Sequence, residues 1–550
     1  MTTVCIYDSA ARRWVRFHQL IDVIATSSVE KVASELRRVE SAVADKNCFA
    51  AGFLSYEAAP AFDKALRVRD ADSSFPLLWF GLFERIEEIE LPLSASSQKL
   101  SWTPTISRDE FDSCIARIRH HIAEGDTYQV NFSFRLRSEF VGNPFEFFLQ
   151  LAQAQPSHHG AFIETDEFAI CSASPELFFS LDGYRLVSRP MKGTTRRGLT
   201  LKSDTENAEI LRRSEKNWAE NVMIVDMIRN DMGRVARVDT VRVPALFDVE
   251  RYPTVWQMTS TVEARTDASI SEIMNAMFPC ASITGAPKAN TMKIIAGLES
   301  TTRGIYTGAI GFIAPDRKAQ FNVAIRTVHI DKAKGTAEYG VGGGIVWDST
   351  SEGEYEECLT KARVLTAEWP QFELFETMLF TQRDGFFLLD EHLARLKDSA
   401  AYFDLPLDEP LLNRMLKTLQ TDLRVFSNDQ RVRMVLHSDG KPTFAIATID
   451  AGAVSSPFRV RLAATPVDSQ NPFIYHKTTF RKVYDDALAS ASDCDDVILW
   501  NERGDVTEST IANVVVEIDG KLYTPPIECG LLAGTLRERL LREGSIKERV

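Results

Sequence analysis

Near residue 370 the pattern of this chain changes. The helical "EECLTKARVLTAE" stops at a Trp-Pro pair, where proline can neither continue a helix nor leave the preceding residue helical, and "QFELFETMLF" then begins with strand character. A chain of 550 residues exceeds what one hydrophobic core organises, so this change marks a domain junction near 367 to 371. Before it, residues 1–107 form an N-terminal subdomain. There strand-like runs flank an amphipathic helix in "SSVEKVASELRRVESAVAD", and the polar "LSASSQKLSWTPTIS" closes the segment. Residues 108–366 mix helix and strand in a larger unit. Residues 371–550 carry a hairpin in "MLFTQRDGFFLLD", a helix in "DEHLARLKDSAAYF" and later strands divided by "NERGDV" and "IDGK". The fold class is α+β.

Composition narrows the partners. A net charge of −14 and a pI near 5.3 argue against a nucleic-acid surface, which draws its affinity from clustered Lys and Arg, so an anionic substrate needs local basic groups. Eight cysteines lie far apart, without a C-x-x-C pair or a zinc-like His spacing, and read as reduced, buried thiols. No window approaches the roughly 18 apolar residues of a spanning helix, which places the chain in the cytoplasm with no membrane partner.

Three groups of residues carry chemistry. "SEGEYEECLTKARVL" puts Glu354 and Glu357 three apart on one helix face, and "EKNWAENVMIVDMIRND" supplies Glu220 from a second helix. Carboxylates from two helices suit Mg²⁺, a hard cation that keeps some of its waters. In "ASITGAPKANTMK", Gly285, Pro287 and Lys288 sit where a loop becomes a helix, a corner that attracts carboxylates. "NVAIRTVHI" presents Arg326 in a strand pattern, and "YGVGGGIVWDS" offers Gly342 to Gly344, where a ligand can approach the backbone closely. Lys192 sits in "VSRPMKGTTRRG", whose Pro and Gly read as a turn, and a turn lysine taken alone is a solvated surface group.

Together with "GDTYQVNFS" and "SASPELFF", these segments occur in the order found in the chorismate-utilising enzymes, and residues 108–366 resemble that family. The resemblance implies the family's α/β sandwich and a dicarboxylate substrate, chorismate. It implies Mg²⁺ on Glu220 and Glu357 with Glu354 in support, and substrate contacts from Thr284, Gly285, Ala286, Lys288, Tyr306, Arg326 and Gly343. In the branches that add water, a lysine base stands where this chain has Gln129, so ammonia is the expected nucleophile. The branches that make anthranilate have alanine where Lys192 stands, whereas those that make aminodeoxychorismate have lysine. If that amine takes ring C2, ammonia must attack C4 and expel it, which gives the para product. Lys192 must then be neutral, with its pKa lowered by desolvation or a nearby cation. Trp256 replaces a histidine that many relatives carry, which leaves the departing hydroxyl to another acid or to Lys192.

After the junction, "LFETM", "FIYHKTTFRKVYDDAL", "VILWNERGDVTESTIANVVV" and "LLAGTLRERLL" resemble the fold-type IV enzymes related to branched-chain aminotransferases and aminodeoxychorismate lyase. That implies pyridoxal 5′-phosphate on Lys477, Glu508 facing its ring nitrogen, and Arg395 and Thr535 on its phosphate. The two halves together imply amination of chorismate at C4, then elimination of pyruvate to 4-aminobenzoate. Alternatives are an anthranilate-type synthase fused to an aminotransferase, an idle second domain, and a scaffold that docks a glutaminase. The chain shows no glutaminase motif, so ammonia is expected from a separate glutamine amidotransferase subunit. The ending "REGSIKERV" lacks a further segment usual in fold-type IV domains, from which a weakly held cofactor and a poorly ordered carboxy terminus are expected.

Overall fold

The helix Arg108–Ala123 starts at a reciprocal cap: the Ser107 hydroxyl accepts from the Glu110 amide at 3.3 Å, and the Glu110 carboxylate accepts from the Ser107 amide at 2.8 Å. Its apolar stripe, Phe111, Cys114, Ile115 and Ile118, is buried. The computed structural model describes residues 2–70, 74–94, 100–155, 157–366, 370–449, 457–491 and 494–550. They fall into two units, one of Met1–Arg196 with Ile210–Trp369, the other of Pro370–Val550 with Arg197–Glu209. Part of the expected junction, residues 367–369, lies outside the described residues. Among the described residues no helix is long and apolar enough to cross a membrane.

The strands of the first unit form one connected, antiparallel system. Leu54 pairs with Ala309 and Val4 with Ile163, so the strands that precede residue 107 belong to the same sheet as those that follow it. The long strand Gln129–Glu139 runs beside Thr336–Ile345 with Asn131 opposite Gly344, and the helix Ser351–Ala362 packs on the glycine-bearing strand. The helix Glu215–Gly233 packs on the strands Met191–Arg196 and Val255–Arg265. These six elements build the walls of the site.

Beneath them lies a buried ion network. Arg303, 1% exposed, pairs with Glu299 at 2.7 Å and donates to the carbonyls of Ile283 and Asn131, while Glu57 accepts from the Arg303 and Gly304 amides. Removing one partner leaves a buried charge without its counter-ion. Arg303→Met is expected to cost about 3–5 kcal/mol, read as a lower denaturant midpoint; an unchanged midpoint would contradict this role.

In the second unit, Leu374–Thr381 pairs with Gly385–Phe386 and Gln430–Leu436, and the latter with Pro442–Thr448. The helices Leu389–Phe403 and Glu409–Leu423 contribute Leu396, Ala400, Leu412 and Leu416 to the core that this sheet covers. Lys477 follows the short 3₁₀ turn Pro472–Ile474 and precedes the helix Lys482–Ala489, its carbonyl accepting from the Phe375 amide.

Candidate functional site

Lys192 lies in a strand, not in the turn that its Pro and Gly neighbours suggest. Met191 pairs with Thr259 and Thr194 with Gln257, which leaves an irregular step at Lys192 and Gly193, where Gly193 has φ 95°. Such a bulge turns a side chain out of the alternation of a regular strand. Neighbours fix it: Asn221 donates to the Lys192 carbonyl at 3.3 Å and accepts from Ser260 at 2.6 Å, and Gln257 donates to the Gly193 carbonyl at 2.8 Å. Asn217 packs where a Gly193 side chain would go.

The bulge delivers Lys192 to a cavity of about 310 Å³. Its carboxylates are Glu176, Glu220, Glu354 and Glu357, and its cationic side chains are Lys192, Lys216, Arg326 and Lys361; Tyr306 also lines it. Desolvation lowers the pKa of Lys192 against the opposing pull of Glu220 and Glu176. Desolvation raises those of Glu220 and Glu354. Glu357 goes the other way because Lys361, four residues on, pairs with it at 2.7 Å.

Three buried polar atoms at this site, Gln129 Nε2, Glu176 Oε1 and Arg326 Nη1, have no hydrogen-bond partner among the described residues. Such groups are costly unless a ligand or water satisfies them, so they mark places for a polar ligand. Arg326 is not inside a strand as its pattern suggests. It sits between Lys318–Val323 and Thr327–Asp331 with φ 50°, a conformation disfavoured for a side-chain-bearing residue, and from this break its guanidinium reaches the cavity. Gly344 faces Gln129 and Lys192: a Cβ there would lie 2.6 Å from Gln129 Nε2 and 3.1 Å from Lys192 Nζ. A Cβ on Gly343 would lie 2.9 Å from Glu354 Oε2 and 3.9 Å from Glu357 Oε1, so the bare backbone leaves room at the carboxylates.

The expected carboxylate corner is corrected. The Lys288 ammonium pairs with Asp231 at 2.7 Å and donates to the Met277 carbonyl at 3.2 Å, and it does not line the cavity. Thr284 bonds to the Cys280 and Ala281 carbonyls, and Gly285 and Ala286 pair with Val130 and Gln129. Gly285 is needed for close strand approach, since its Cβ would strike the Gln129 carbonyl at 2.0 Å. Ser282 and Ile283, just before them, line the cavity instead. Glu176 and Lys361 were not singled out from the sequence. The first sits in the quoted "SASPELFF", and the second follows Glu357 by one helical turn in "EYEECLTKA". Trp256 is buried away from the lining, under the Arg251 guanidinium, and its neighbour Gln257 faces the cavity.

Glu220, from one helix, and Glu354 and Glu357, from another, all line the cavity, and their carboxylates are hard oxygen donors of the kind that Mg²⁺ takes. Glu354 is steadied by Ser349 at 2.6 Å. Yet among the described residues no three His, Cys, Asp or Glu side chains are gathered closely enough to hold an ion as they stand.

The second unit gathers the groups that pyridoxal phosphate needs. Lys477 has its pKa lowered to about 8, by burial first and then by Arg395. Burial lifts Glu508 to about 7, and the Tyr484 hydroxyl donates to it at 2.8 Å, with Asn513 at 3.1 Å. Thr535 opens the helix Thr535–Arg542, whose first amides suit a phosphate. Arg395 is less available than expected: Glu376 grips it through Nε and Nη2 at 2.9 and 2.6 Å, and Nη1 donates to the Ala533 carbonyl, so only its outer edge can meet an anion. A buried amine with a low pKa, a carboxyl for a ring nitrogen and a helix start fit the cofactor.

Comparison with known proteins places both parts. Residues 2–367 match the family model described as chorismate binding enzyme, and residues 373–550 match amino-transferase class IV. Aminodeoxychorismate synthase component 1 of Bacillus subtilis is 39% identical over 264 residues, 48% of this chain and 56% of that protein. Anthranilate synthase component 1 of Aquifex aeolicus is 37% identical over 268 residues, 48% of this chain and 54% of that protein. The chain thus spans about half the length of the curated relatives it matches. The crystal structure of anthranilate synthase component I from Streptococcus pneumoniae shares the fold, with a TM-score of 0.57 and 24% identity over 66% of this chain and 92% of that one. The chain belongs to the chorismate binding enzyme family, and a class IV aminotransferase segment follows its chorismate-binding part.

Proposed function

We propose that the first unit aminates chorismate at C4 and that the second eliminates pyruvate from the resulting 4-amino-4-deoxychorismate to give 4-aminobenzoate. Relatives of both ring specificities match this chain, so the position of amination has to be argued from the site. The observation that carries the reading is Lys192, bulged out of its strand into the cavity with its pKa lowered by desolvation.

In this reading the neutral Lys192 amine attacks C2, both ring double bonds shift, and the C4 hydroxyl leaves with a proton as water. Ammonia then attacks C4, both double bonds shift back, and the Lys192 amine departs from C2 with a proton. Gln129 supplies no base for water at C2. Arg326 takes a substrate carboxylate through its unpartnered Nη1, and Tyr306 walls the ring. Mg²⁺, held by Glu220, Glu354 and Glu357, would neutralise and orient the ring carboxylate. In the second unit Lys477 would hold pyridoxal phosphate, with Glu508, Thr535 and the outer edge of Arg395 around it; the bound cofactor supplies the electron sink that acidifies the C4 proton. Ammonia would come from a separate glutamine amidotransferase subunit, in line with the component 1 naming of the relatives.

Glu176 supplies the proton for the departing hydroxyl. It is buried, it lines the cavity, and desolvation lifts its pKa to about 7, so it is protonated below neutrality and still partly protonated near pH 7. The amination rate is therefore expected to fall as pH rises through about 7. Glu176→Gln should lower it by about 10²- to 10⁴-fold and remove that descending limb. A variant with the wild-type profile would contradict the assignment. The reading as a whole is tested by identifying the product from chorismate, Mg²⁺ and ammonium by chromatography and mass. 4-Aminobenzoate or its 4-amino precursor is expected, and anthranilate would refute it.

A further inference from the structure

With Lys192 neutral and Glu176 protonated, the carboxylates of Glu220, Glu354 and Glu357 and the cationic side chains of Lys216, Arg326 and Lys361 cancel in formal charge, so a divalent cation entering alone leaves the site with an excess of two positive charges, and a dicarboxylate entering alone leaves the reverse. One of the three cations already stands where the metal is needed. Lys361 Nζ lies 2.7 Å from Glu357 Oε1 and donates to the Gly342 carbonyl at 3.0 Å, which pins it between helix and strand. At the Cβ position of Gly343 the same ammonium is 4.0 Å away, with Glu354 Oε2 at 2.9 Å and Glu357 Oε1 at 3.9 Å, so ammonium and carboxylates share one small space.

We propose that Lys361 is a tethered counter-ion at Glu357 which a divalent cation must displace, and that the displaced ammonium balances the incoming dicarboxylate, so that metal and substrate bind as a charge-neutral pair. The inference rests on the reading of Glu357 as a metal ligand. A cation on Glu357 would face the Lys361 ammonium at close range, and the resulting repulsion drives the lysine off its carboxylate. The four-carbon stem can swing while its helix stays in place. By linkage, each ligand then tightens the other by the same factor.

The test is Mn²⁺ binding to the full chain, followed by electron paramagnetic resonance without ammonium, so that no product is released, and each titration with chorismate is repeated in a Lys192→Ala background, in which no adduct forms. Wild type, Lys361→Met, Lys361→Gln and Glu357→Gln are compared, each shown to be folded by thermal unfolding. Without chorismate, removing the Lys361 charge should tighten Mn²⁺ by about tenfold, the worth of one partly buried ion pair. Chorismate should tighten Mn²⁺ in wild type by about as much, and much less in the Lys361 variants. If Glu357→Gln weakens Mn²⁺ while neither Lys361 variant tightens it, the counter-ion role is overturned and the metal reading stands. If Glu357→Gln binds Mn²⁺ as wild type does, the metal reading falls, and the inference with it. Should Lys361→Met fail to fold, Lys361→Gln decides.

Discussion

Replacing Lys192 by alanine is expected to reduce formation of the 4-amino product by about 10³-fold, the scale lost when a covalent nucleophile is removed. The cause is positional. Without an amine at C2, nothing directs ammonia to C4, and the open C2 becomes the better target, so residual turnover should shift toward the ortho product. The variant should remain folded, because the strand Met191–Arg196 is held by Thr259, Gln257 and Asn221 through partners other than the Lys192 ammonium. Liquid chromatography of the products distinguishes the outcomes. Unchanged yield of the 4-amino product would remove Lys192 from the mechanism.

The second large effect is expected in the other unit. Lys477→Ala should abolish conversion of the 4-amino intermediate to 4-aminobenzoate and erase the visible absorption of lysine-bound pyridoxal phosphate. An amine with its pKa lowered to about 8 is unprotonated in a useful fraction near neutrality, which suits a carbonyl cofactor. Amination in the first unit should continue, and the intermediate should accumulate. A persistent absorption band would mean that another lysine holds the cofactor.

Much of this was legible from local chemistry. The Ser107 and Glu110 cap, the stripe of Val32, Leu36, Val39 and Val43 on Val29–Lys46, and the Asp-Gly turn between Leu177–Asp182 and Arg185–Arg189 are short-range signals that the fold follows. The spacing of Glu354 and Glu357 also carried through, since helical geometry alone puts both on one face. What escaped depends on partners distant in the chain. A Gly beside Lys192 is compatible with a turn or a bulge, and only the pairing with Val255–Arg265 decides between them. Lys288 next to Gly and Pro resembles an anion corner until Asp231, 57 residues earlier, claims its ammonium. Arg326 interrupts a β pattern because its backbone turns left-handed there, which apolar alternation does not reveal. Glu176 sits among apolar residues where a carboxylate is unexpected. Its burial at 2% exposure and its unpartnered oxygen give it meaning only in three dimensions.

The central claim is that Lys192 becomes covalently joined to the substrate ring, and intact-protein mass spectrometry reads this directly. Incubated with chorismate and Mg²⁺ without ammonium, the chain should gain the mass of chorismate less one water. Peptide mapping should place the addition on Lys192, and ammonium should discharge it as the 4-amino product. An unmodified Lys192 under these conditions, in a protein that still makes the 4-amino product once ammonium is supplied, would contradict the account.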